Sequence, residues 1–221
     1  MPSAVAALGR VWVLTDRRMS RRPLADTVRA AVDGGARAVV LRDRDLPRDE
    51  RAALADALRA VLAPAGGRLI VAGPDPLGGD AVHLSAAAGP PPTGMALVGR
   101  SCHDEAELAA LSTEDYAFLS PVFRTASKPG YGPPLLPAGL ARLAARSPAP
   151  VVALGGIGAP ADAVACLTAG AAAVAVLGAV HRAEDPAAAV RALCRATECV
   201  QAVAYCARQG GVHLNAGEAP A

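Results

Sequence analysis

The chain is poor in the features that would have named its partners. Aromatic residues are 3% of its 221 positions, and the formal net charge is only +2. A nucleic-acid binder needs a broad basic field or stacking rings, so that class is set aside. No apolar run approaches the roughly 18 residues of a membrane-spanning helix, which sets aside a membrane partner. The first charge is Arg10, so the opening residues lack the basic-then-apolar order of a secretory leader, and a cytoplasmic location is expected. The five cysteines, Cys102, Cys166, Cys194, Cys199 and Cys206, contain no Cys-x-x-Cys pair and read as free thiols. No His/Cys/carboxylate cluster has metal-ligand spacing, so no metal ligands are assigned.

What the chain has in abundance is alternation. Short runs of Val, Leu and Ile are followed by alanine-rich stretches at helical period. The expected strands are Val11–Thr15, Ala38–Leu41, Arg68–Ala72, Ala81–Leu84, Ala96–Ser101, Tyr116–Ser120, Pro150–Leu154 and Ala173–Leu177. The expected helices are Leu24–Asp33, Arg48–Leu62, Asp104–Leu111, Pro137–Ala145, Pro160–Ala169 and Pro186–Ala207. Eight β/α alternations in 221 residues favour one (β/α)₈ TIM barrel over an open doubly wound sheet. The barrel is expected over residues 1–207, with a flexible C-terminal tail at 208–221. Parallel strands need about a dozen residues to cross over. Gly73–Asp80 and the Pro/Ala/Gly-rich Ser85–Gly94 fall short of a full helix, so the shell is expected to be degenerate between strands three and five.

A parallel barrel carries its site at the C-terminal ends of the strands. Gly155-Gly156 follows strand seven and Leu177-Gly178 ends strand eight. Glycines let several backbone N–H groups approach one phosphate, and the helix opening at Pro160 would point its positive end there. Arg42 and Arg44 follow strand two at a spacing that shares one face, and guanidinium forks suit phosphate or carboxylate. A solvated cluster neutralised by Asp43 and Asp45 is the other reading. Ser101 and His103 follow strand five, and imidazole titrates where proton transfer is useful. Cys102 beside His103 should face the other way, against a Cys–His nucleophile. His83 and His181 read as structural or rim residues. Thr125, Ser127 and Lys128 lie in a loop that could close over the mouth and grip an anion.

Taken in order, several segments resemble the thiamine phosphate synthase/TenI superfamily. They are Leu14-Thr15-Asp16, Leu41-Arg42-Asp43-Arg44, His83-Leu84, Gly99-Arg100-Ser101-Cys102-His103, Pro121-Val122-Phe123-Arg124-Thr125, Gly155-Gly156-Ile157 and Ala169-Gly170-Ala171. The resemblance spans roughly Val11 to Pro186. It implies a TIM barrel, a phosphorylated thiazole substrate and a place in thiamine biosynthesis. The synthase branch joins a pyrimidine pyrophosphate to a thiazole phosphate with Mg²⁺. The TenI branch aromatises a carboxythiazole phosphate by a proton shift without metal.

Departures from the synthase pattern favour the TenI branch at this stage. Its Gln-x-Arg-x-Lys motif is here Val40-Leu41-Arg42-Asp43-Arg44, and its metal-binding Asn-Asp is Ala72-Gly73. Ser85-Ala86-Ala87-Ala88 stands where a second metal-binding aspartate would be. The resemblance makes His103 the proton-transfer residue, with phosphate on Gly155, Gly156, Leu177 and Gly178. Arg42, Arg44, Ser101, Thr125, Ser127 and Lys128 would hold the rest of the substrate. The expectation is therefore a thiazole tautomerase with no cofactor. A divergent synthase using Mg²⁺ and a non-catalytic thiazole- or thiamine-phosphate binder are the alternatives, and a homodimer is left open.

Overall fold

The computed structural model describes residues 4–125 and 132–209, with side chains to residue 200. Eight parallel strands form a closed barrel in chain order. They are β1 (Val11–Leu14), β2 (Ala38–Leu41), β3 (Arg68–Ala72), β4 (Ala81–Leu84), β5 (Leu97–Cys102), β6 (Tyr116–Leu119), β7 (Val151–Leu154) and β8 (Ala173–Val176). Closure is made by β1 pairing with β8, Trp12 standing opposite Ala175. The helices are α1 (Ala4–Ala7), α2 (Leu24–Asp33), α3 (Arg48–Leu62), α4 (Glu105–Ala109), α5 (Leu136–Ala144), α6 (Pro160–Thr168), α7 (Gly178–His181) and α8 (Pro186–Gln209). Helix α8 runs past Ala207, so the expected boundary falls inside it, and 210–221 lie outside the described residues.

Strand alternation sorts the side chains into two cores. The inward set includes Trp12, Leu14, Val40, Ile70, Tyr116 and Phe118 and fills the barrel. The outward set includes Val11, Val13, Val39, Leu41 and Leu119 and packs under the helices. Trp12, Tyr116 and Phe118, three of the aromatics among the described residues, all lie inside. The ring of Trp12 meets Tyr116 edge-on at 4.8 Å, and its Nε1 donates to the Gly9 carbonyl at 3.0 Å. Burying each such side chain contributes roughly 1.5–3 kcal/mol. Val5 and Leu8, in and just after α1, pack under this interior core.

The shell is incomplete on one flank, as the short connections required. Neither β3–β4 nor β4–β5 carries a helix. In the first gap, Leu77 is buried at a left-handed φ of 48°. Arg59 of α3 donates to the Pro76 carbonyl at 2.9 Å and holds that loop down. In the second gap, Arg100 points outward from β5 into the space a helix would fill. It donates to Ser85 O (3.2 Å), Ala88 O (2.8 Å) and Gly89 O (2.8 Å). Its Nε pairs with Glu114 Oε1 at 2.6 Å, both side chains being nearly buried. Beneath this clasp, Val82, Leu84 and Val98 form a small core of their own. Among the described residues, no helix is long and apolar enough to cross a membrane.

Candidate functional site

A cavity of about 900 Å³ opens at the C-terminal ends of the strands. Its floor is the inward face of β4–β6. There His83 is fully buried, its ring 4.1 Å from that of Phe118. Its Nδ1 lies 3.1 Å from the Tyr116 hydroxyl and its Nε2 2.9 Å from Ser101 Oγ. Burial, then the charges of Arg44 and Arg100, push its pKa down to about 3, so His83 is a neutral imidazole that fixes the Ser101 hydroxyl. The histidine expected to be structural is therefore structural and also part of the cavity wall.

The β7–β8 flank is built from backbone. Gly155 (φ 100°) and Gly156 (φ 70°) are both left-handed, which glycine adopts without strain. A side chain at Gly156 would strike the Arg124 carbonyl and Phe123, so the turn also depends on the missing Cβ. The neighbouring β6–α5 loop is tied to it by Val122 N donating to Leu154 O (3.0 Å) and Phe123 N to Gly155 O (2.9 Å). Gly156, Ile157, Gly178 and Ala179 line the cavity, and their N–H groups donate to no described residue. One expectation is corrected. Gly158 N and Ala159 N, at the start of α6, donate to Asp162 Oδ2 at 3.0 and 2.8 Å. Those two N–H groups are therefore already taken by the helix's own cap.

The flank after β2 is built from side chains. Arg42 and Arg44 both line the cavity, as their spacing required. Their aspartates do not neutralise them. Asp43 is buried, accepts from Thr15 Oγ1 at 2.6 Å and from Arg17 N at 2.8 Å. Thr15 Oγ1 in turn accepts from Arg42 N at 2.9 Å. Asp45 pairs with Arg17 and with Arg18 (2.5 and 2.9 Å). The side chains of Arg42 and Arg44 form no ion pair or hydrogen bond with any described residue.

His103 lines the rim, and Cys102 is buried in the outer core, so the two face apart as alternation required. Burial, with Glu107 nearby, pushes the Cys102 thiol up to about 12, which leaves it unreactive. His103 is gripped by Glu107: its N–H and its Nδ1 both meet Oε2, at 2.7 and 2.8 Å. Thr125 lines the cavity, while Ser127 and Lys128 lie outside the described residues.

Sequence reasoning missed Arg18, Arg124 and Arg182, which also line the cavity. Arg182 had a readable signal, since it follows Gly178 by one helical turn. Its guanidinium fills the space where a Gly178 side chain would stand, and it donates to Met19 Sδ at 3.2 Å. A thioether is a weak acceptor, so this cation has no strong partner among the described residues. No group of three or more His, Cys, Asp or Glu in the described residues is placed to hold a metal ion.

Fold and cavity together define a (β/α)₈ barrel whose mouth is lined by glycine turns on one flank and by arginines on another. The chain belongs to the thiamine monophosphate synthase (TMP-TENI) family, whose profile matches residues 11–180. It is 38% identical over 199 residues to the thiamine-phosphate synthase of Roseiflexus castenholzii, covering 84% of this chain and 87% of the relative. It is 39% identical over 198 residues to that of Anaeromyxobacter dehalogenans, covering 83% and 86%. A thiamine phosphate pyrophosphorylase from Pyrococcus furiosus superposes with a TM-score of 0.77 at 26% identity, covering 88% of this chain and 98% of that one.

These relatives overturn the expected tautomerase. The two curated relatives are named as thiamine-phosphate synthases and the solved structure as a thiamine phosphate pyrophosphorylase, and none of the three is named as a tautomerase. The sequence reading had leaned on missing carboxylates at Ala72, Gly73 and Ala88. That absence concerns the ends of β3 and β4 alone; elsewhere the mouth is lined by Asp16, Asp43 and Asp45 and by five arginines. The proton shuttle assigned to His103 belonged to the overturned reading.

Proposed function

We propose that the chain is a transferase of the thiamine-phosphate synthase type, joining a pyrimidine methyl diphosphate to a thiazole phosphate and releasing pyrophosphate. The observation that carries this is the pair of separate anion-accepting flanks in one cavity. A condensation of two phosphorylated molecules needs both. The thiazole phosphate would rest on the free N–H groups of the turns after β7 and β8, with Gly155, Gly156, Leu177 and Gly178 shaping that seat. The diphosphate would lie against Arg42 and Arg44. Ser101, oriented by neutral His83, would hydrogen-bond a ring heteroatom at the floor, and Thr125 would contact the substrate at the mouth. The names of the curated relatives support the same reading.

The test is incubation with both substrates, with and without Mg²⁺, and chromatographic detection of thiamine phosphate. Stoichiometric thiamine phosphate and pyrophosphate are expected. Tight binding of thiazole phosphate with no coupled product under any condition would overturn the proposal in favour of a non-catalytic binder.

A further inference from the structure

The synthase reading implies Mg²⁺ to neutralise the departing diphosphate, and the residues present do not fit that ion. Magnesium asks for oxygen donors in near-octahedral array, normally one or two carboxylates. Each carboxylate at the mouth is already held by the protein through at least one oxygen. Both oxygens of Asp43 are taken by Thr15 and Arg17, Asp45 is held by two arginines, and Asp16 Oδ1 accepts Arg18 N at 3.1 Å. Asp75, beyond β3, is held by Leu77 N (2.9 Å) and Arg48 (2.8 Å). The cavity wall at the ends of β3 and β4 is Ala72 and Ser85, neither of which is acidic.

We infer that Arg44, together with Arg42, neutralises the departing diphosphate in place of a protein-held divalent cation. The inference rests on the synthase reading. Arg44 lines the same cavity as Ala72, His83 and Ser85. Its charge lowers the basicity of two groups after burial has done so, His83 on β4 and Arg51 on α3. Arg51 Nη2 donates to the Ala72 carbonyl at 2.6 Å, which ties this neighbourhood to the end of β3. A positive charge thus stands near β3 and β4 without an ion, and among the described residues it has no acidic partner to release before it binds an anion. Arginine remains charged at any working pH and offers paired donors to phosphate oxygens. The reaction needs nothing more to balance. The bond from the pyrimidine methylene carbon to the diphosphate oxygen breaks, and its electron pair leaves on the diphosphate. The thiazole nitrogen lone pair forms the new carbon–nitrogen bond. The thiazole ring gains the positive charge, and no proton or electron is exchanged with another reagent.

Calorimetry with inorganic pyrophosphate, in chelator and then in Mg²⁺, tests the inference apart from turnover. The expected result is binding in chelator that Mg²⁺ does not strengthen. Arg44→Ala should weaken it roughly tenfold or more, as for loss of a charge-assisted contact. Arg48→Ala, which removes a neighbouring arginine outside the cavity, should leave it unchanged. Binding only in Mg²⁺, no binding in either buffer, or an Arg44→Ala variant that binds like the parent would each overturn it. Coupled product that appears only with Mg²⁺ overturns this inference and leaves the synthase reading standing. Coupled product in neither buffer sinks the synthase reading and this inference with it.

Discussion

The two flanks of the barrel are made of different material. On the β7–β8 flank, helices α6 and α8 back the strands, and the cavity wall is peptide N–H held by glycine turns. On the β3–β5 flank two helices are missing, and long side chains do the holding: Arg59 on one loop, Arg100 on the next. A backbone wall can be damaged only by adding bulk. A side-chain wall can be removed with one substitution. The comparison therefore assigns each flank its own kind of weakness.

The largest effect should come from Arg100→Ala. It would leave Glu114 buried without its partner and free several carbonyls, a cost of about 3–5 kcal/mol in urea unfolding. A loss under about 1 kcal/mol would show that residues 85–96 hold themselves and would break the comparison. Next is Gly156→Ala on the other flank. Its left-handed φ and its collision with Phe123 and the Arg124 carbonyl should cost about 2–3 kcal/mol, lowering Tm by roughly 4–12 °C. An unchanged Tm would mean that the turn is not rigid.

The third prediction concerns pH. His83 has its folded pKa pushed down to about 3, below the unfolded value of about 6.5. The unfolded chain therefore takes up the proton first as pH falls. The stability is fully present above about pH 6.5 and drains away as pH falls toward 3. Between pH 7 and pH 5 the loss should be about 2 kcal/mol by denaturant titration. His181, whose pKa burial also lowers, adds in the same direction. His83→Gln should flatten the slope, and an unchanged slope would show that the floor does not depend on a neutral imidazole. The smallest effect sharpens the β8 end. Gly178→Ser should push the Arg182 guanidinium aside and raise KM for thiazole phosphate about fivefold, with Tm nearly unchanged. An unaltered KM would show that the position of Arg182 has no bearing on thiazole phosphate binding.

The strands were legible because each is an apolar run between turn residues, and all eight were located to within a residue at either end. The short helices α1 and α7 were not, because four residues cannot show a 3.6-residue period. At the site, Gly155-Gly156 and the Arg42/Arg44 pair were readable from position and spacing. The capping of α6 by Asp162 was readable in principle as an acidic residue in the first turn, yet its consequence for the anion seat needed coordinates. Arg182 and Arg100 were opaque for a common reason. A long side chain can end far from its own residue, and sequence does not say which carbonyl or loop it reaches. The choice of reaction was misread because missing carboxylates at Ala72, Gly73 and Ala88 were taken as a missing synthase activity, whereas relatives at 38–39% identity are named synthases.

Arg100 grips the 85–89 loop entirely through carbonyl oxygens, never through side chains. Every residue type carries that oxygen. The stretch can therefore change its letters widely without losing its anchor, provided the path of the chain is kept. In a deep mutational scan the tolerance of Ala86–Gly89 and the intolerance of Arg100 should appear side by side, with the constraint on the loop recorded a strand away from it.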